Sequence, residues 1–234
     1  LGATVDLTVS ETDELGTGRC HVFVSDDAER TMATYLGAAN QMAPEEITSD
    51  LLQHSDIVYI EGYLFDLPPA KDALRQAIAT THDHDGLVAF SLSDLFCVER
   101  HKKDFLELIV NDVDILLANE GEILTMFDAK TVEQAFESID ELGVLAVVTI
   151  GSKGAMVSGP RGPLLIPAPQ VERVVDQNGA GDLFAAGFLY GLANGAEPAE
   201  AAQLAAMCAG EVITHLGARP EADLFEMASA AGLL

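Results

Sequence analysis

The chain has no tryptophan, only three cysteines, and 12 Lys+Arg against 38 Asp+Glu in 234 residues. Each scarcity excludes something. Cys20, Cys97 and Cys208 are odd in number and far apart, and no C-x-x-C occurs, so neither a disulfide framework nor a zinc ribbon is indicated. Cysteines of this kind suit a reducing, cytoplasmic compartment. The formal net charge of −26 argues against nucleic-acid or anionic-membrane partners, since both need a basic footprint. No apolar run is long enough to span a bilayer. The longest candidate, residues 199–210, is short and is interrupted by Glu200 and Gln203. No signal-peptide pattern, internal repeat, low-complexity tract or long linker is present. The first residue is Leu1 rather than Met, so the chain is expected to be a piece of a longer protein.

What is present is apolar material for one sizeable core, with 49% hydrophobic residues and a mean hydropathy of +0.22. The run Cys20–Val24, a turn at Ser25–Glu29, and Arg30–Leu36 read as a β-hairpin. After Pro44 the rhythm alternates between strands and helices. Strands are expected at 57–60, 87–90, 115–117 and 146–150. Helices are expected at about 44–54, 68–81, 102–110, 120–127 and 132–142. A second hairpin is expected from 155–158 and 164–166 around Gly159-Pro160-Arg161-Gly162. Helices at 181–193, 198–215 and 222–231 complete the chain. Such alternation implies a mostly parallel sheet covered on both faces.

The most informative segment is Asp176-Gln177-Asn178-Gly179-Ala180-Gly181-Asp182 followed by the apolar stretch Leu183–Leu189. A glycine-rich turn opening a helix brings backbone N–H groups together, and the helix adds the positive end of its dipole. A carboxylate planted there can take a proton from a hydroxyl that attacks a phosphate. Taken alone, Asp182 also suits the first turn of any helix. Three further segments accompany it. Thr149-Ile150-Gly151-Ser152-Lys153-Gly154 is a tight turn at the carboxyl end of the clearest buried strand, where open α/β sheets bind ligands, although many strand-to-hairpin turns look alike. It is neither a Walker A loop nor a dinucleotide fingerprint, because no G-K-[ST] follows and the next residues read as strand. Asn119-Glu120-Gly121-Glu122 has the spacing of a helix capping box, which would account for it without any further role. Arg30 in the early hairpin is a scarce cation whose guanidinium geometry suits phosphate. His82-Asp83-His84 is better read as a solvated helix end than as a metal site. His215 reads as the last residue of a long helix, meeting its dipole.

Taken in order, Glu61-Gly62-Tyr63, Asn119–Glu122, Thr149–Gly154, Asp176–Asp182 and Gly217-Ala218-Arg219-Pro220 resemble the ribokinase-like, or PfkB, sugar and nucleoside kinases from about Gly16 to Pro220. Within that family, Arg30-Thr31-Met32, Tyr35–Ala39 and the Asp-x-Asn before Gly179 look most like the adenosine-kinase-like branch. The resemblance implies a three-layer α/β/α sandwich with a mostly parallel sheet and a small β lid. Residues 1–40 would form the lid and its connection, and 41–234 the nucleotide-binding core. It also implies an ATP- and Mg²⁺-dependent phosphotransferase acting on a nucleoside or sugar, with adenosine the first choice and a ribose- or fructose-type sugar the second. Asp182 would be the base. Gly179, Ala180 and Gly181 would form the anion hole. Asn119, Thr149, Gly151, Lys153, Gly154 and Asn178 would hold the nucleotide. Asn119 and Glu122 would organise the metal, and Arg30 would reach the substrate together with Asp182. The protein would be a cytoplasmic monomer, or a homodimer paired through its lid strands.

Two departures from the family pattern stand out. Gln177 replaces the usual threonine, so a hydroxyl contact is not available there. The family's N-terminal strand, with a substrate-gripping Asp, and its downstream glycine pair with Asn are not found. The chain is therefore expected to bind substrate poorly by itself, or not to fold as the intact enzyme does. The competing class is a non-catalytic ligand-binding relic of the same fold. A nicotinamide oxidoreductase is disfavoured, since no G-x-G-x-x-G joins a strand to a helix.

Overall fold

The computed structural model describes residues 15–28, 30–47 and 52–234. The hairpin forms as expected. Strands β1 (Arg19–Val24) and β2 (Arg30–Tyr35) pair antiparallel and make a two-stranded sheet of their own. Almost all of its residues are exposed, including Phe23, Met32 and Tyr35.

The remaining strands form one six-stranded sheet in simple sequence order. Strands β3 (Ile57–Glu61), β4 (Leu87–Ser91), β5 (Ile115–Asn119) and β6 (Leu145–Thr149) run parallel. Strands β7 (Ala155–Val157) and β8 (Leu164–Ile166) add an antiparallel edge. Parallel pairing requires a crossover between strands, and helices supply each one. They are α1 (Pro68–Asp83), α2 (Leu95–Asn111), and the pair α3 (Glu120–Met126) and α4 (Val132–Leu142). Three more helices follow the sheet: α5 (Ala180–Ala193), α6 (Pro198–Val212) and α7 (Leu224–Ala231).

The period-two alternation of the strands sorts the core into two layers. Val88, Phe90, Leu116, Ala118, Ala146 and Val148 point to one face, where they meet Leu74, Ile78, Phe105, Ile109, Ile123, Phe136 and Ile139 of α1–α4. Ala89, Ile115, Leu117, Val147, Ala155 and Val157 point to the other, against Phe184, Phe188, Ala201, Ala202 and Ala205 of α5 and α6. Both faces of β4–β6 are thus apolar, as a covered parallel sheet demands. Phe65, Phe90 and Phe105 add edge-on ring contacts, with centroids 5.0 Å apart for Phe65–Phe105 and 4.9 Å for Phe90–Phe105.

Several helix boundaries differ from the sequence expectation. Helix α2 starts at Leu95, one turn or more before the expected 102, because the Asp94 carboxylate caps it by accepting from the Cys97 N–H at 2.6 Å. Helix α6 stops at Val212 rather than 215. His215 is therefore not a helix residue but part of the following loop. The helix expected at 44–54 is described at its start only as a 3₁₀ turn, Pro44–Glu46, and residues 48–51 lie outside the described residues. His82 and His84 end α1 as solvated caps, the first 3.2 Å from Asp114 and the second 2.8 Å from the Thr80 carbonyl.

Candidate active site

The four parallel strands end along one edge of the sheet, at Glu61, Ser91, Asn119 and Thr149. Ligands of open α/β sheets bind outside this edge. The register sets Asn119 of β5 directly beside Thr149 of β6, so two residues distant in sequence become neighbours.

Asn119 and Glu122 form the reciprocal capping box of α3. The Asn119 side chain accepts from the Glu122 N–H at 2.9 Å, and Glu122 Oε2 accepts from the Asn119 N–H at 2.9 Å. Glu122 Oε1 accepts from Asn119 Nδ2 at 2.5 Å. Glu122 is only 5% exposed, and burial raises its carboxyl above the ordinary 4.5; the Asn119 backbone bond opposes the rise and nearby Asp94 adds to it. Both Glu122 oxygens are thus engaged within the chain.

Beyond Thr149, the Gly151–Lys153 turn is closed by the Ile150 N–H donating to the Gly154 carbonyl at 2.8 Å. Gly154 has a packing reason of its own. A Cβ there would fall 2.0 Å from the Ile166 carbonyl oxygen of β8. Gly151, Ser152 and Lys153 are exposed at the carboxyl edge.

The glycine-rich turn enters α5 without a side-chain cap. Gly179 is the N-cap, at φ +80. That left-handed conformation suits glycine, and contact with the next loop also excludes a side chain: a Cβ would lie 2.8 Å from Ala218 Cα. Gly181 is the opposite case, since a Cβ would meet nothing within 4 Å. Its N–H and that of Asp182 have no acceptor among the described residues, as the first turn of a helix leaves its donors unmatched. Asp176 is 2% exposed and fixes the approach to the turn: its carboxylate accepts from the Asn178 N–H at 2.8 Å and the Gly217 N–H at 3.0 Å.

Asp182 sits in the first turn of α5 and is exposed. It faces the end of β3. Burial is the main cause of the raised Glu61 carboxyl, and the negative charge of Asp182 adds to it; a bond from the Tyr59 hydroxyl, 3.5 Å from Glu61 Oε1, works the other way. Tyr59 is itself pushed up to about 12, first by burial and then by the charges of Glu61 and Asp182, against a lowering bond with Ser91. The charge of Asp182 therefore reaches Glu61 and Tyr59 at the end of β3, a link that the Glu61-Gly62-Tyr63 segment did not reveal in the sequence. The signal was a carboxylate ending an otherwise apolar strand. Arg30 lies in the separate two-stranded hairpin. It is exposed, pairs with Val24 in the hairpin, and makes no ion pair among the described residues.

A family model described as "pfkB family carbohydrate kinase" matches residues 2–223. The chain belongs to the pfkB family of carbohydrate kinases. Among solved structures, an adenosine kinase from Sinorhizobium meliloti superposes with a TM-score of 0.88 at 41% identity, covering 92% of this chain and 66% of that one. A protein described as a probable sugar kinase from Rhizobium etli CFN 42 gives a TM-score of 0.89 at 38% identity, with coverage of 93% and 66%. The adenosine kinase of Saccharomyces cerevisiae is 26% identical over 197 residues, or 78% of this chain and 57% of the yeast protein. This pfkB chain thus spans about three fifths to two thirds of the length of these relatives.

Proposed function

We propose that this chain carries the phosphoryl-transfer centre of an ATP-dependent kinase whose acceptor is the primary hydroxyl of a nucleoside or sugar. Adenosine is the first candidate and a ribose- or fructose-type sugar the second. The observation that carries the reading is the pairing of an exposed carboxylate, Asp182, with unmatched N–H groups on an open turn at the carboxyl edge of the sheet.

The reaction needs positioning and charge stabilisation more than covalent help from the protein. Asp182 accepts the acceptor's hydroxyl proton as that oxygen bonds to the γ-phosphorus and the bond to the β,γ-bridging oxygen breaks, releasing ADP. The N–H groups of Gly181 and Asp182, at the positive end of α5, stabilise charge on the transferring group, with Gly179 and Ala180 shaping the hole. Glu61, whose raised carboxyl feels the Asp182 charge, is suited to an acceptor hydroxyl. Thr149, Gly151, Lys153, Gly154 and Asn178 line the nucleotide side.

Mg²⁺ fits this donor set as a phosphate-borne ion. No group of three His, Cys, Asp or Glu among the described residues could hold a metal by itself, and Mg²⁺ is commonly bound by one or two carboxylates plus substrate phosphates and water. When bound, it neutralises phosphate charge. Glu122 and Asn119, engaged with each other, would help organise the ion and the phosphates. The hairpin carrying Arg30 serves as a lid or as the contact between two copies, which sedimentation velocity distinguishes. In this reading residues 1–40, of which 1–14 lie outside the described residues, correspond to the lid and its connection and 41–234 to the core, in a cytoplasmic enzyme.

The test is transfer of labelled γ-phosphate from ATP to a panel of adenosine, other nucleosides, ribose and fructose. Phosphorylation of one acceptor on its primary hydroxyl supports the reading. ATP binding with no transfer to any acceptor favours the non-catalytic alternative.

A further inference from the structure

The loop between α6 and α7, residues 213–222, packs against the glycine-rich turn, and an ion pair that the proposed chemistry does not use fixes its ends. Glu211 lies in the last turn of α6 with its side chain 7% exposed. Its Oε1 accepts from the N–H groups of Glu221 at 2.9 Å and Ala222 at 2.8 Å, both at the far end of the loop. The same oxygen lies 3.3 Å from His215 Nε2, whose side chain is 13% exposed. Glu211 Oε2 and His215 Nε2 are buried and make no hydrogen bond among the described residues. A buried carboxylate left this way is costly unless an opposite charge faces it, so the pair depends on His215 being protonated.

The middle of the loop is tied to the turn. Gly217 N–H donates to Asp176 Oδ2 at 3.0 Å, Val175 N–H donates to the Ile213 carbonyl at 2.8 Å, and Ala218 lies where a Gly179 side chain would be. The loop is therefore tied to Val175 and Asp176 and lies against Gly179.

We propose that Glu211 and His215 are positioning residues for the anion cradle: their ion pair fixes the 213–222 loop, and Ala218 of that loop holds Gly179 in its left-handed conformation. The proposal rests on the kinase reading for its effect on turnover, but its structural consequence can be read without any turnover. The groups facing His215 are Glu211 from α6 and Glu221 from the loop, the latter 3.9 Å from Nδ1. Cys208, one turn back on α6, faces the same Glu211 carboxylate, and Asp176 faces the loop from the turn. The His215 imidazole is raised above its ordinary 6.5: burial opposes the shift, while Glu211, the Leu216 carbonyl and Glu221 outweigh it. The brace is therefore complete below 6.5 and is lost as pH rises through the folded value.

The experiment compares wild type, Glu211→Gln and Glu221→Gln by hydrogen exchange at the Asn178, Ala180 and Leu183 amides, which are bonded within the turn, and by kcat and KM for ATP. In Glu211→Gln, a Gln oxygen still accepts the two loop N–H groups but faces His215 without charge. Protection factors at the three amides should fall about tenfold or more, and kcat should fall by a similar factor with KM changing less. Wild-type protection should decline as pH rises above 6.5, and in Glu211→Gln that pH dependence should vanish. Glu221→Gln, at an exposed position on the Nδ1 side, should match wild type below pH 6.5 and lose protection at a lower pH than wild type does. If Glu211→Gln leaves protection and kcat at wild-type values, the proposal is wrong, whatever happens to Tm. If that variant does not fold, wild-type protection across pH decides alone: no decline overturns the brace. If the wild-type chain transfers no phosphate, the kinase reading fails, while the protection factors still decide the brace.

Discussion

At Gly179 and Gly181 two residues of one motif do different work. Gly179 has a left-handed backbone and Ala218 pressed against it, whereas Gly181 borders open space. Gly179→Ala should cost roughly 1–3 kcal/mol, and Gly181→Ala should leave Tm close to wild type while narrowing the cradle and reducing turnover. Thermal melts and steady-state rates of the two variants check this directly; equal melting temperatures would contradict it. Asp182 was legible as the candidate base because the residues around it are local in sequence. Glu61 and Tyr59 were not, since the distance from β3 to α5 is closed only by the folded sheet. His215 was misread because a helix pattern gives no warning that α6 stops at Val212, where the side chain leaves the helix to pair with Glu211.

At the scale of elements, α3 and its cap are the clearest case of two explanations converging. Glu122 completes a capping box, and its carboxyl is raised by burial. A carboxyl raised in the folded state contributes stability that is present below its ordinary 4.5 and is lost as pH climbs through the folded value. Glu122→Gln keeps an acceptor for the Asn119 N–H and removes the charge. Its stability should therefore fall less than wild type as pH rises from about 4.5 to 7, which denaturant melts at several pH values measure. If Glu122 also helps organise the metal, turnover should drop by roughly 10–100-fold in the same variant. Unchanged turnover would reduce Glu122 to a cap. Helix α5 depends on close packing with α6, because a Cβ on Gly187 would lie 2.8 Å from Ala205 Cα. Gly187→Val should push the two helices apart and destabilise by about 1–3 kcal/mol, measured by denaturant melts. The strands and their order were readable from β-rich runs between helices. The start of α2 was not, because only the Asp94 cap, seen once the chain is folded, sets it.

For the whole molecule, charge is the property the sequence declares most plainly and the structure leaves most exposed to solvent conditions. With 38 acidic against 12 basic residues, and Lys71, Arg75, Arg100 and Lys102 already paired with aspartates, the surface repels itself. Added salt shortens the screening length from about 10 Å at 0.1 M to about 3 Å at 1 M, so Tm should rise with sodium chloride. A gain of about 1 kcal/mol would appear as roughly 2–4 °C, and a flat or falling Tm would show that self-repulsion does not limit the fold. In the proposed reading the phosphate site is built from backbone N–H groups and a helix end rather than from a cluster of basic side chains, which suits this acidity. The most direct measurement of that idea compares wild type with Asp182→Asn for γ-phosphate transfer and, separately, for ATP binding. The account predicts transfer reduced by about 10²–10⁴-fold with ATP binding and Tm nearly unchanged; transfer at the wild-type rate in Asp182→Asn would contradict it.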